Sequence, residues 1–453
     1  MKGLTLFIFG LTWLFATIFA QVKKITKPNI LIILADDLGY HDVSYYGTKD
    51  VKTPNIDKLC NDGVRFDRFY SNSPVCAPTR ASLLSGRYPE MIGVPGLIRQ
   101  HADDNFGYMT PGVVLLPMLL KKAGYNTALV GKWNLGLESP NTPNEKGFDH
   151  FHGFLDDMMD DYYNHLRYGN NLLRLNKNTI NPKGHATDLF TDWAISYLNS
   201  QKNKRNPFIL YLAYTAPHIP IQPRQDWLAK VQSREKNITD GRAKLVALIE
   251  HLDDGIGKVI GTLRQNGQLE NTLIFFLSDN GGDIKFHSYN GDLRDGKGTM
   301  YEGGIRVPAF VFWNNHIPAG VVISDRLMTM DILPTIAEIT GAKTNFAIDG
   351  RSFFSLINGK AEALPERPLF FVRREGNTKF NGQTIQAIIH NNYKLLQNSP
   401  YESYELYNLA KDPMEKNNVI QSEKDMYLKL QPLLMEQIQK GGRVPWQKPA
   451  TVN

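Results

Sequence analysis

Cysteine is nearly absent from this 453-residue chain, which contains only Cys60 and Cys76. Two cysteines exclude a framework of several disulfide bonds, so the fold has to be held by a hydrophobic core. Hydrophobic residues make up 42% of the chain, which is enough for one large domain and a smaller one. A single bridge between the two cysteines is conceivable, but we expect both thiols to be free.

Long apolar runs are equally scarce, and the one that exists stands at the amino terminus, over residues 4–19. Lys2 precedes this run, and the small residue Ala20 follows it before Gln21. The order is typical of a secretory signal peptide over residues 1–20, with an N-terminal membrane anchor as the alternative. We therefore expect an exported protein, periplasmic or secreted, that is not stably inserted in a membrane after the signal is removed.

Clusters of basic residues are also lacking. The chain has 51 Lys and Arg against 45 Asp and Glu, and its net charge of +6 becomes +5 once Lys2 leaves with the signal. Nucleic acid is not an expected partner, because neither a basic run nor a recognisable binding module is present. A modest positive balance can still attract other polyanions.

The chain does contain several short, continuous apolar runs of strand length. They cover residues 29–34, 208–213, 273–277 and 307–312. Runs without alternation are typical of strands buried on both faces, as in a parallel sheet. Amphipathic stretches with helical spacing lie between them, at 113–123 and 243–264. This order predicts an α/β fold with a mostly parallel central sheet sandwiched by helices.

Oxygen-bearing side chains follow two of these runs. Asp36 and Asp37 come after the first run, and Asp279 and Asn280 come after the run that ends at residue 277. Ligands of parallel α/β folds bind at the carboxyl ends of the strands, where adjacent carboxylates repel unless a cation neutralises them. Oxygen donors without histidine or cysteine describe a hard-cation site, calcium before magnesium. The alternative is that these residues form turns or helix caps.

A lone thiol stands in the motif Cys76-Ala77-Pro78-Thr79-Arg80. Pro78 suits the first position of a helix and Gly86 suits its exit, so we expect Cys76 just before a helix start. The amino end of a helix attracts anions, and Arg80 adds a guanidinium one turn further on. A free cysteine is otherwise most often a small buried hydrophobe.

Five segments in a fixed order carry a family resemblance. They are residues 28–37, 76–80, 131–136, 216–220, and 278–282 followed by 296–308. With these segments the chain resembles the formylglycine-dependent sulfatases of the alkaline phosphatase superfamily, from about residue 29 to about residue 418. The resemblance implies a bacterial glycan sulfatase with an alkaline phosphatase-like catalytic domain over residues 21–345. It also implies a small C-terminal α+β subdomain with an antiparallel sheet over residues 346–453.

The resemblance implies a specific reaction. Cys76 would be converted to 3-oxoalanine (formylglycine) by a maturation enzyme, and the hydrated aldehyde would attack the sulfur of a sulfate ester. One calcium ion would be bound by Asp36, Asp37, Asp279, Asn280 and the modified Cys76. Arg80, Lys132 and Lys297 would neutralise the sulfate oxygens, and His218 would protonate the leaving alcohol, a role that suits a pKa near neutrality.

Asn134 departs from the family pattern. It stands in Gly-Lys-Trp-Asn-Leu-Gly, where the family commonly has a histidine that takes the proton from the hydrate as sulfate is expelled. An amide forms hydrogen bonds but has no useful basicity. We expect Asn134 to orient the hydrate, with another group or a water as the base, or with slow turnover.

Three functions are compatible with these residues. The first is hydrolysis of sulfate esters on a sulfated oligo- or polysaccharide. The second is a phosphonate monoester or phosphodiester hydrolase, because relatives with the same cysteine motif cleave phosphorus esters. The third is a sulfoglycan-binding protein with impaired turnover. Candidate sugar-binding loops are residues 99–104 and the acidic, aromatic stretch 156–165, with ordinary solvated loops as the alternative for each.

Overall fold

The computed structural model describes residues 27–376 and 382–449. The expected signal peptide, residues 1–20, lies outside the described residues. Within them, no helix is both long enough and apolar enough to cross a membrane.

The described residues form sixteen strands and ten α-helices. The strands are β1 (Asn29–Ala35), β2 (Val64–Tyr70), β3 (Asn126–Lys132), β4 (His150–Phe154), β5 (Leu166–Arg167), β6 (Asn170–Asn171), β7 (Leu173–Leu175), β8 (Asn178–Thr179), β9 (Phe208–Ala213), β10 (Thr272–Ser278), β11 (Ala309–Phe312), β12 (Val321–Met328), β13 (Leu369–Glu375), β14 (Gln383–His390), β15 (Tyr393–Gln397) and β16 (Glu405–Asn408). The helices are α1 (Pro54–Asn61), α2 (Cys76–Ser85), α3 (Leu116–Lys122), α4 (Ala186–Gln201), α5 (Gln225–Arg234), α6 (Asp240–Gln265), α7 (Glu302–Ile305), α8 (Ile332–Thr340), α9 (Phe354–Ile357) and α10 (Lys424–Gly442).

Ten strands form the central sheet, in the order β12-β2-β11-β10-β1-β9-β3-β4-β7-β8. The five strands from β10 to β4 are mutually parallel. One hydrophobic core packs on each face, and the helices cover both. The predicted α/β sandwich with a mostly parallel sheet is confirmed, since β1, β9 and β10 are the strands expected from continuous apolar runs.

One predicted strand runs in the opposite direction to its neighbours. The run at 307–312 forms β11, which begins only at Ala309 and pairs antiparallel with both β10 and β2. Pro308 precedes the strand and has no N–H to donate to a ladder. A continuous apolar run indicates that a strand is buried on both faces, but it does not indicate the direction of the strand in the sheet. The sequence therefore could not show that β11 is antiparallel.

A four-stranded antiparallel sheet, β13-β14-β15-β16, forms a second unit. Helix α10 packs on it through Leu430 and Leu434, which cluster with Ile388, Leu395 and Leu406. The small antiparallel sheet with a helix is therefore confirmed.

Candidate active site

Strand pairing brings the predicted metal-binding residues together. Strands β1 and β10 pair in parallel with Ala35 opposite Ser278, so both chains leave the sheet at the same place. The backbone N–H of Asp37 donates to Oδ1 of Asp279 at 3.2 Å. Asp36 and Asp279 are fully buried and Asp37 is 4% exposed. The structure thus places three carboxylates in one dry crevice.

Asn280 adds an unsatisfied oxygen to this crevice. Its Nδ2 donates to Oδ1 of Asp37 at 2.8 Å and to the carbonyl of Gly281 at 3.0 Å. Its Oδ1 is buried and has no hydrogen-bond partner among the described residues. A buried polar atom without a partner is costly. Three carboxylates and a free amide oxygen fit a hard cation such as calcium.

Cys76 is the first residue of α2, which corrects the expected helix start at Pro78. Val75 is the extended N-cap residue, and the helix ends at Gly86, whose φ of 68° is left-handed as the sequence predicts. Proline is tolerated anywhere in the first turn, so Pro78 did not mark the start. Both Cys60 and Cys76 are free and buried, which confirms that they form no bridge.

The Cys76 side chain points to the strand ends. Its Sγ lies 3.3 Å from Oδ1 of Asp36. Potential ligand atoms of Cys76, Asp36, Asp37 and His218 all lie within 4.8 Å of one another. Burial, together with Asp279 and Asp36, raises the pKa of the Cys76 thiol well above its usual range. The unmodified thiol is therefore a poor nucleophile, because the thiolate is the reactive form.

Three cations surround the carboxylates. Lys132 Nζ lies 2.6 Å from Oδ2 of Asp36, and Lys297 Nζ lies 2.6 Å from Oδ2 of Asp37. Arg80 donates from Nε and Nη2 to Oδ2 of Asp279 at 3.0 and 2.8 Å. Burial alone would raise the pKa of Asp36, but Lys132 and the other nearby cations outweigh burial and lower it to about 2. His218 and Lys297 likewise outweigh burial at Asp37 and lower its pKa. Burial and Asp36 instead raise the pKa of Asp279, and a bound cation would favour its ionised form.

His218 faces the same crevice. Its Nδ1 lies 2.7 Å from the carbonyl oxygen of Ile219, which can only accept, so Nδ1 carries the proton. Its Nε2 lies 3.5 Å from Oδ2 of Asp37. The hydroxyl of Tyr162 lies 2.8 Å from the carbonyl oxygens of Thr215 and His218 and fixes this loop. Nothing in the sequence pattern identified Tyr162 as the residue that positions His218.

Asn134 follows the end of β3, two residues after Lys132, with a left-handed φ of 56°. Its Nδ2 donates to the carbonyl of Ile98 at 3.1 Å. Its Oδ1 is buried and has no partner among the described residues. The hydrogen bond from Nδ2 thus orients the amide, and Oδ1 remains available to accept a hydrogen bond from another group.

The two predicted sugar-binding loops meet in space. Gln100 Nε2 donates to Oδ2 of Asp156 at 2.7 Å, and Arg99 Nε lies 3.7 Å from Oδ2 of Asp157. Burial and Asp157 raise the pKa of Asp156 to about 6. Arg167 Nε lies 3.1 Å from Oδ1 of Asp157 and extends this polar wall.

Strand β13 contributes residues that sequence reasoning missed. Glu375 is fully buried and pairs with Arg99 at 3.3 Å and with Arg373 at 3.1 Å. Arg373 also donates to the carbonyl of Gly298, next to Lys297, at 3.4 Å. No local motif surrounds Arg373 or Glu375, so only their spatial position reveals them.

Comparisons with known proteins agree with this geometry. The family model described as Sulfatase matches residues 28–342, and the model described as N-sulphoglucosamine sulphohydrolase, C-terminal, matches residues 294–442. The chain is 32% identical to N-acetylgalactosamine-6-sulfatase of Sus scrofa over 391 residues, which cover 81% of this chain and 71% of the relative. It is 31% identical to a sulfatase of Formosa agariphila over 481 residues, which cover 88% of this chain and 86% of that protein.

A solved structure is similar over nearly the whole chain. The crystal structure of Ps i-CgsB in complex with k-i-k-neocarrahexaose has a TM-score of 0.85 and 31% sequence identity, covering 94% of this chain and 96% of the other. The first family model alone spans well over half of the sequence. Together with the cluster around Cys76, these matches show that the chain belongs to the sulfatase family and is a sulfuric ester hydrolase.

Proposed function

We propose that the protein hydrolyses a sulfate ester on a sulfated oligo- or polysaccharide, with a formylglycine derived from Cys76 and one bound calcium ion. The observation that carries the proposal is the position of Cys76. Its Sγ lies at the start of α2, against Asp36 and within 4.8 Å of ligand atoms of Asp37 and His218. A nucleophile at this position would meet both the cation site and a proton donor.

Each component of the site has a defined task. Asp36, Asp37, Asp279 and Asn280 would hold a calcium ion, which would supply Lewis-acid activation for the nucleophile derived from Cys76. Arg80, Lys132 and Lys297 now pair with the carboxylates, and their fixed positive charges would stabilise the equatorial sulfate oxygens in the transition state. The Arg80 and Lys132 side chains are fully buried and that of Lys297 is 15% exposed, so little water screens these charges.

His218 is the proposed proton donor. Its Nδ1 is committed to the carbonyl of Ile219, so the proton for the leaving alcohol would travel through Nε2, the nitrogen that faces Asp37. A donor of this kind typically contributes about 10²–10⁴-fold to a rate.

A saccharide substrate is supported by the wall of Gln100, Asp156 and Arg167, because carboxylates and amides hydrogen-bond sugar hydroxyls. Two similar proteins also support it: one relative is an N-acetylgalactosamine-6-sulfatase, and the structure of Ps i-CgsB contains a bound oligosaccharide. We further propose an exported, periplasmic or secreted protein that is matured by a formylglycine-generating enzyme. In this proposal residues 21–345 form the catalytic domain and residues 346–453 the C-terminal subdomain.

The test is release of inorganic sulfate from a panel of sulfated oligosaccharides, with an aryl sulfate and an aryl phosphonate included. Protein co-expressed with a maturation enzyme should release sulfate, and chelation of calcium followed by its return should abolish and restore the activity. Faster cleavage of the phosphonate than of every sulfate would favour the phosphorus-ester reading. Binding of a glycan without sulfate release by fully matured protein would favour a binding protein.

Restoring a base at position 134 should accelerate turnover. We expect Asn134→His to raise kcat at least about tenfold, since a positioned general base contributes about 10²–10⁴-fold. Histidine tolerates the left-handed backbone found there better than most residues. The pH profile of kcat should gain a limb near the ordinary histidine pKa of about 6.5.

Asn134→Ala is the matched control, because it removes the amide without adding a base. It should lower kcat through the loss of the oriented acceptor. A folded Asn134→His protein that is no faster than the wild type would show that another group already serves as the base.

A further inference from the structure

A cavity lies beside the candidate active site, next to the loop that carries His218. It has a volume of about 500 Å³, within the range of pockets that hold small ligands. Its lining is mostly apolar, from Met158, Ile219, Pro220, Ile221 and Phe286. The side chains of Asp160, Lys244 and His287 add a polar rim.

The turn Ile284–Phe286 contributes one apolar side chain, Phe286, to the lining of this cavity. Phe286 is 38% exposed and Ile284 is 50% exposed. Phe286 therefore gives the cavity an aromatic face that is partly open to solvent.

The turn is firmly anchored. Arg242 donates from Nη1 to the carbonyl of His287 at 3.1 Å and is itself held by Asp50 through its Nε at 2.9 Å. The His287 ring fills the space next to Gly241, where a Cβ would come within 2.0 Å of Nε2. Phe286 is thus displayed by a fixed backbone, which lowers the entropy cost of binding against it.

The cavity lies next to the proposed chemistry. Ile219 lines it and directly follows His218, the proposed donor to the leaving alcohol. The loop that leads to the turn is also joined to the site, because the backbone N–H of Lys297 donates to the carbonyl of Gly282 at 3.1 Å. A substrate that extends from the ester oxygen past His218 would reach the cavity at Ile219.

The cavity is also continuous with the polar wall. Asp160 lines it and accepts a hydrogen bond from Nη1 of Arg167 at 2.9 Å. An apolar floor with a carboxylate and an ammonium group at its rim matches a sugar ring, which has a C–H face and a hydroxyl edge. Stacking on Phe286 and hydrogen bonding to Asp160 and Lys244 would satisfy both parts of such a ring.

We propose that this cavity is a second sugar subsite, so that the protein acts on an oligosaccharide chain in preference to an isolated sulfated unit. The proposal rests on the proposed function of the neighbouring site. It assigns Phe286 as the residue that stacks on the additional ring.

The test compares long and short substrates of the same series. The probes are k-i-k-neocarrahexaose with its disaccharide, and a chondroitin 6-sulfate hexasaccharide with its disaccharide. Wild-type kcat/KM should be at least about tenfold higher for the hexasaccharide of the series that is cleaved, and Phe286→Ala should remove most of this preference. Phe286→Tyr keeps the ring and should retain it.

Leu428→Ala is the control for apolar truncation, because Leu428 is 65% exposed on α10 and lines neither the cavity nor the polar wall. It should leave the preference unchanged. Binding of the same probes to the Cys76→Ala protein, by calorimetry, gives a readout that does not need turnover. Phe286→Ala in that background should weaken hexasaccharide binding about tenfold.

Two results would overturn the subsite. The first is sulfate release without any length preference, which would leave the proposed function intact. The second is that the Cys76→Ala protein binds the hexasaccharides equally well with and without Phe286→Ala, or does not bind them at all. Binding that depends on Phe286 but is never followed by sulfate release would instead contradict the proposed function and leave the subsite standing.

Discussion

Cys76→Ala should abolish sulfate release, with a loss of about 10⁴-fold or more, while the protein stays folded. The loss is large because the substitution removes the side chain that becomes the nucleophile. Replacement of a nucleophile alone typically removes nearly all chemical catalysis. The Cys76 side chain is small and sits beside Asp36, so alanine removes one sulfur atom and one weak hydrogen bond. Steady-state sulfate release and thermal unfolding measure the two effects separately.

Cys60→Ala is the matched control for this prediction. Cys60 is also free and buried, and burial raises the pKa of its thiol to about 12, so it is inert. Its replacement should leave a cavity and cost some stability but keep turnover. Residual turnover in Cys76→Ala that exceeds a few per cent of the wild type would mean that the nucleophile is elsewhere.

Asp279→Asn should cost both activity and stability. Asp279 accepts two hydrogen bonds from Arg80, and both side chains are completely buried. Arg80 would keep only its longer carboxylate contact, to Oδ1 of Asp36 at 3.6 Å, and removal of one partner of a buried pair typically destabilises by about 3–5 kcal/mol. The same substitution removes a proposed calcium ligand, so the increase in unfolding temperature that calcium gives the wild type should largely disappear. Turnover should fall about 10³-fold, because the metal and the sulfate-binding Arg80 are disturbed together.

Asp349→Asn provides the comparison for the Asp279 variant. Asp349 also pairs with an arginine, Arg87, at 2.9 Å, but the two side chains are 27% and 21% exposed. Exposed pairs contribute about 0–1 kcal/mol, and this pair is partly solvated, so the variant should lose less stability than Asp279→Asn and keep its calcium response. An Asp279→Asn protein with wild-type stability and an unchanged calcium response would refute the proposed role of Asp279.

The sequence predicted those parts of the site that follow strong local patterns. Asp36 and Asp279 end continuous apolar runs, and parallel pairing of β1 with β10 brings such ends together as a matter of geometry. Cys76, Lys132 and Lys297 were identified through motifs rather than composition. Cys76 begins α2, Lys132 ends β3 and Lys297 lies in the loop before α7, and these segments meet at the carboxyl ends of the parallel strands.

Other features depend on tertiary contacts that no local pattern encodes. Strand β2 is interrupted by Arg65, Asp67 and Arg68, and β12 lies at the sheet edge with most of its residues at least partly exposed. Neither strand contains the continuous apolar run typical of the central strands. Arg99 and Glu375 are 276 residues apart in the chain. The exposed Phe286 gives no periodic signal, because it lies on a turn held by residues of α6.

The most direct test of the account joins the state of position 76 to turnover in the same samples. Preparations with graded co-expression of a maturation enzyme are analysed by peptide mass spectrometry for formylglycine and assayed for sulfate release in calcium. We predict that activity rises in proportion to the fraction of Cys76 converted and is zero when none is converted. Sulfate release by unconverted protein, or none from fully converted protein on any sulfated glycan, would contradict it.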